Sequence, residues 1–315
     1  TSPKKETLVC NTMSDSRPPA PAPAPGAKPL SFWSDALPAV FVVLWSTGFI
    51  GSKMGAPYSE PFTFLAIRFA IAALIMAIIG LMFRATWPNT IPRIFHAIIV
   101  GLLVHGVYLG GVFWAIDYGV PAGVAALIVA LQPIVIGFIA PSFLGEKVSS
   151  KRWFGLVLGF IGVALVVWQQ LDFDAGGKGG FAVCVLATLG IAGGALYQKK
   201  FCTDEDLRSH QSIQLMAAAI ALGALSFLFE TQTIEWAPSF IFALGWLTLV
   251  MSIGTFTLLY ALIRRGPAAQ VSSLFYLVPP TVALMAYFLF GETLSALAIV
   301  GMLVTVAGVA LATKQ

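Results

Sequence analysis

Charge is scarce in this 315-residue chain: Asp, Glu, Lys and Arg make up 10% of it, against about 25% in soluble domains. Apolar residues reach 58%, and mean hydropathy is +0.88. A soluble fold of this length exposes a broad shell that so few polar residues cannot cover. Three cysteines, Cys10, Cys184 and Cys202, are too few and too scattered for a disulfide framework or a zinc site. Three histidines, with no HExxH, no GxSxG and no carboxylate pair, leave an intramembrane enzyme without its nucleophile, base or metal ligands. No cofactor is expected. A channel would carry charged rings or carbonyl filters, and neither pattern occurs. The solvent implied for this chain is lipid.

Residues 1–36 differ in kind from the rest. The run Pro18-Pro19-Ala20-Pro21-Ala22-Pro23-Ala24-Pro25 blocks helix and strand and favours extended, solvated chain. No apolar run follows the basic residues before it, so the tract does not read as a secretory signal. It is expected to be a disordered cytoplasmic tail. The chain opens on Thr1, which leaves Met13 as an alternative start and residues 1–12 as an upstream remnant.

From Leu37 onward, apolar runs long enough to cross about 30 Å of hydrocarbon recur between short polar breaks. They are read as 37–56, 61–83, 94–116, 121–144, 153–170, 180–198, 212–230, 239–263, 267–290 and 294–313. Pro61, Pro121 and Pro267 stand at span starts, where proline costs no hydrogen bond. Barrel strands would alternate polar and apolar residues, so the expected fold is all-α with ten transmembrane helices. With both termini on one side, that side collects fifteen of the eighteen basic residues, leaving only Lys53, Arg68 and Lys178 elsewhere. The positive-inside rule then puts the termini in the cytoplasm. The net charge of +4 records topology and calls for no nucleic-acid partner.

Sliding the chain against itself by 146 residues aligns Pro121-Ala122 with Pro267-Ala268, Pro133 with Pro279, and Gly145-Glu146 with Gly291-Glu292. Gly162-Val163-Ala164-Leu165 recurs as Gly308-Val309-Ala310-Leu311, and Lys53 meets Lys199. Residues 37–170 and 180–313 thus read as two copies of a five-helix unit. Five is odd, so the second copy lies upside down. Inverted repeats let two near-equivalent halves exchange conformations around one site, the signature of secondary transporters.

Ten spans as five plus five, Trp45-Ser46 in span 1 with Lys53 at its end, Arg68-Phe69 in span 2, and Gly-Glu turns after spans 4 and 9 resemble the EamA family of the drug/metabolite transporter superfamily. The resemblance covers residues 37–313. It implies an inner-membrane carrier, usually an exporter of amino acids or other small metabolites, with a central cavity lined by spans 1, 3, 4, 6, 8 and 9. Small multidrug members of the superfamily use a glutamate in their first span for cations. Span 1 here has none, which makes a multidrug or hydrophobic-compound exporter the second reading.

Ionisable groups in lipid are costly and so are functional candidates. His105, eleven residues into span 3, falls near the midplane by helical rise. It can titrate, bind substrate or couple protons, or simply bond a neighbouring helix as a neutral ring. Tyr108 shares its face. Arg68, about 10 Å below the outer end of span 2, can draw in a carboxylate or snorkel to Glu60 or Asp117. Lys53 at the end of span 1 fits a functional and an anchoring role equally. Gln132-Pro133 and Val278-Pro279-Pro280 break spans 4 and 9 at matching depth. Such paired breaks point to a substrate site and make Pro133, Pro279 and Pro280 hinge candidates. Gln132 adds an amide, and Trp45, Phe275 and Tyr276 supply walls. Glycine pairs such as Gly155/Gly159 fit close helix packing, with a dimer face on span 5 or 10 left open. The expected function is export of small, zwitterionic metabolites, facilitated or proton-coupled, from a mid-membrane cavity; oligomeric state does not follow from these residues.

Overall fold

In hydrocarbon each backbone N–H and C=O must be satisfied within the chain, and a helix does this internally. The computed structural model describes residues 31–171, 177–291 and 293–313. The Pro/Ala-rich tract, Glu292 and Lys314 lie outside the described residues. Among those described, ten helices are long and apolar enough to cross a membrane: α1 (Ala36–Tyr58), α2 (Pro61–Met82), α3 (Ile91–Asp117), α4 (Ala122–Leu144), α5 (Ser150–Val167), α6 (Gly177–Phe201), α7 (Leu207–Phe229), α8 (Pro238–Arg265), α9 (Ala268–Leu289) and α10 (Ala296–Thr313). The only β pairing among them is one bridge between Ser59 and Ile234.

Helix ends depart from the hydropathy reading at α1, whose helix runs back to Ser31 into the segment expected to be disordered, and at α7, which begins at Leu207 where hydropathy predicts 212. Its first turn, Arg208-Ser209-His210-Gln211, is polar and so invisible to hydropathy. Asp206 nevertheless caps it, accepting from Arg208 N at 2.9 Å. At the far end of α7, Glu230 caps a different helix. Its carboxylate accepts from Phe62 N and Thr63 N, both at 2.7 Å, and so satisfies the free amides that open α2.

The duplication is written in the backbone. Pro121 (φ −57, ψ 136) and Pro267 (φ −56, ψ 138) open α4 and α9. Gly145 (φ 72) and Gly291 (φ 66) close them in the left-handed region, which only glycine enters at no cost. The most extensive helix pairs, α2 with α7 and α5 with α10, join corresponding members of the two halves, as inverted repeats about a shared axis do. A Cβ on Gly308 would lie 2.3 Å from Gly159 N, and one on Gly162 2.5 Å from Thr305 N. The glycines of spans 5 and 10 are therefore spent on each other within the chain.

Candidate functional site

Four helices lose regularity near mid-membrane, in matched pairs. α3 widens to a π-helix over Leu102–Gly110 and α8 over Leu247–Thr255, within one residue of the repeat offset. α4 turns at Ala130–Leu131 and resumes at Gln132, while α9 tightens to 3-10 over Leu274–Leu277 and resumes at Val278. Pro133, Pro279 and Pro280 all stand in the first turn of the resumed helix, where the missing N–H costs nothing.

Between these breaks lies a cavity of about 10 Å³, room for about one water. Gln132 of α4, Tyr260 of α8, and Ser272 and Phe275 of α9 line it, with apolar residues of α3 and α6 completing the wall. α1 reaches it through Trp45, whose ring meets Phe275 at 4.8 Å, and through Phe41 beside it. Gln132 Oε1 and the Tyr260 hydroxyl have no hydrogen-bond partner. Buried polar atoms without partners are rare and ask for a ligand or water.

Above the cavity sits an aromatic layer. Phe256 of α8 contacts Trp45 at 5.0 Å and His105 at 4.5 Å, and Phe41 closes against both Trp45 and Phe275 at 5.3 Å. Tyr260 lies one turn along α8 from Phe256 on the cavity side, and Ser252 one turn along on the other. There, Arg68 is 2% exposed and donates Nε to Ser252 Oγ at 2.9 Å. It bonds neither Glu60 nor Asp117, the outward partners its position suggested. Gln211 donates to Ser252 O at 2.5 Å and accepts from Thr257 Oγ1 at 2.7 Å, tying α7 into the same knot.

The sequence-predicted residues therefore divide. Trp45, Gln132 and Phe275 come together at the cavity and its aromatic roof. His105 is fully buried between Phe69 and Phe256, at 5.2 and 4.5 Å, and neither ring nitrogen has a hydrogen-bond partner. The neighbouring-helix bond considered for it is not made. Tyr108 is buried and does not line the cavity. Tyr276 points to α5, where a Cβ on Gly159 would lie 2.6 Å from its ring, and it does not line the cavity. Lys53 is exposed in the last turn of α1. Phe256, Ser252, Tyr260 and Gln211 were not anticipated. For Ser252 and Tyr260 the one signal was a hydroxyl inside an otherwise apolar run; Phe256 and Gln211 had none. Among the described residues no three His, Cys, Asp or Glu gather as metal ligands.

At the end of the bundle that carries the basic residues, the halves are latched. Glu146, after α4, pairs with Lys199 of α6 at 2.5 Å and accepts from Ala268 N of α9 at 2.8 Å. Lys199 also donates to Gly266 O. At the other end, Thr231 donates its N–H to Glu60 at 2.8 Å, and Glu235 N donates to Tyr58 O at 2.9 Å.

This arrangement has known counterparts. An uncharacterized transporter, YvbV, of Bacillus subtilis is 28% identical over 286 residues, covering 87% of this chain and 89% of that protein. A probable amino-acid metabolite efflux pump of Salmonella typhimurium is 25% identical, over 86% of this chain and 92% of its own length. A crystal structure of a protein 19% identical superposes with a TM-score of 0.75 over 88% of this chain and 96% of that one, and shares the fold. The sequence profile of the EamA-like transporter family matches residues 33–168 and again 178–314, one match to each five-helix half, and the chain belongs to that family.

Proposed function

We propose that this protein exports small metabolites, amino acids or similar zwitterions foremost, across the inner membrane by alternating access at the central cavity. The observation that carries this reading is the closed cavity flanked by irregular segments in repeat-matched pairs. Packed cores switch between discrete arrangements rather than deform continuously, and breaks duplicated at one depth are where inverted halves can exchange conformations. The efflux-pump relative supports the substrate class.

In this scheme Gln132 engages the polar end of the substrate, and Trp45 and Phe275 hold its apolar part. Pro133, Pro279 and Pro280 flex, while Tyr276 braces α9 on α5. His105 and Tyr108 act above the aromatic layer, and proton coupling, where it occurs, is assigned to His105. Residues 1–36 form a cytoplasmic tail, 37–170 and 180–313 the two repeats, and both termini face the cytoplasm, with Lys53 at the outer surface. The mostly apolar lining favours a hydrophobic-compound exporter as the second reading. Reconstituted vesicles loaded with a labelled panel of amino acids and apolar amines separate the two. Amino acids leaving faster than from protein-free vesicles supports the first reading; efflux of the amines alone supports the second; no efflux of either contradicts both.

A further inference from the structure

Arg68 is a full positive charge deep in the bundle, and taking such a charge out of water is expensive unless an anion and hydrogen bonds compensate it. Among the described residues no carboxylate pairs with it, and Nε to Ser252 Oγ is its one hydrogen bond. A guanidinium carries five N–H donors in a planar fork suited to a carboxylate, so the terminal nitrogens are left without acceptors. Tyr108 lies three residues along α3 from His105, and both are buried. The Phe69 ring neighbours both groups, 5.3 Å from the guanidinium carbon and 5.2 Å from the His105 ring. Neither His105 nitrogen has a partner. A guanidinium with one hydrogen bond and an imidazole with none, on the far side of Phe256 from Gln132, make a second polar station one to two helical turns from the cavity.

We infer that Arg68, with Tyr108 and His105, forms a carboxylate-binding subsite in the outer half of the pathway, separated from the Gln132 cavity by the Trp45–Phe256–Phe275 layer. This deepens the exporter reading and, for its place in a pathway, rests on it. A substrate bearing a carboxylate completes the coordination of Arg68 once the aromatic layer parts. A compound with an amine and no carboxylate gains nothing there.

Two measurements test this, and only one needs transport. In detergent, the melting temperature is followed while leucine, isovalerate (carboxylate only), isoamylamine (amine only) or chloride is titrated. Leucine and isovalerate should give a saturable rise in wild type, isoamylamine and chloride none. In Arg68→Gln the rise with isovalerate should vanish, and in Arg68→Lys, which keeps the charge without the fork, half-saturation should need at least threefold more ligand. The ligand-induced shift is read against each variant's own baseline, so a purely structural Arg68 leaves it unchanged. If Arg68→Gln fails to fold, Arg68→Lys carries the comparison. An equal rise with chloride, or an isovalerate response indifferent to both substitutions, overturns the subsite. In vesicles, Arg68→Gln should slow leucine efflux at least tenfold and spare isoamylamine efflux. Equal slowing of both overturns it. Absence of leucine efflux from wild type contradicts the exporter reading while leaving the binding result to decide the subsite.

Discussion

Lys199 and Glu146 meet at 2.5 Å across the boundary between the two repeats, and Glu146 also holds the first free amide of α9. One carboxylate thus fastens the end of α4 to the end of α6 and the start of α9, the helices that wall the cavity. Glu146→Ala removes both contacts; Lys199 keeps Gly266 O, but the partly buried Ala268 amide is left without an acceptor, a loss of about 1–3 kcal/mol. Glu146→Gln keeps an oxygen for Ala268 N and should lose less. In the proposed orientation this latch closes the cytoplasmic side. A cysteine at Gln132 should therefore react faster with an impermeant maleimide added from the cytoplasm when Glu146 is Ala. Cys184 and Cys202 are both buried and stay silent; Cys10→Ser removes the tail thiol.

Glu230 acts on α2 as a cap contributed by α7. Two backbone amides and the Thr63 hydroxyl converge on it, each at 2.7 Å, where the helix N-terminus favours negative charge. Glu230→Ala should cost about 1–2 kcal/mol, seen as a lower melting temperature in detergent. An unchanged melting temperature would mean that water replaces the carboxylate at no cost.

Gly308 allows α10 to lie against α5 with backbones in contact. A Cβ there meets Gly159 N at 2.3 Å and Gly159 Cα at 2.6 Å, backbone atoms that cannot rotate away. Gly308→Ala should destabilise by about 1–3 kcal/mol. Gly106, around which a Cβ meets nothing within 4 Å, should accept alanine without a clash, and the pair of melting curves checks the difference.

Asp206, outside the membrane, has its carboxyl held below the usual range, first by the Arg208 side-chain hydrogen bond. A depressed carboxyl stabilises the fold above its unfolded value near about 4 and loses that contribution as pH falls through the folded value. The melting temperature of wild type should therefore fall below about pH 4, and Asp206→Asn should flatten that part of the profile. A parallel fall in both proteins would assign the acid sensitivity elsewhere.

The span positions were legible because lipid demands about 20 apolar residues at a time, and all ten runs are helices here. The duplication was legible through Pro121/Pro267 and Gly145/Gly291, residues whose backbone roles are tied to their chemistry. The centre was less so. The π segments of α3 and α8 have no residue signature, since a widened turn follows from packing between helices. The sequence puts Phe275 and Tyr276 together on the cavity wall, but neighbours in a 3-10 turn point about 120° apart, and Tyr276 faces Gly159. Ser252 and Phe256 were hidden inside a run that hydropathy reads as uniform. Nothing in the sequence alone showed that Arg68 would turn to Ser252 rather than outward.

The central claim is that substrate crosses through the cavity between Gln132 and Tyr260. Ala195 lines that cavity, and Ala195→Phe, larger than the cavity itself, obstructs it. The decisive measurement is the initial efflux rate of labelled leucine from proteoliposomes carrying wild-type or Ala195→Phe protein, both shown to be folded by their melting curves. The account predicts efflux well above protein-free vesicles for wild type and at least a tenfold loss for the variant. Equal rates in the two proteins would contradict it.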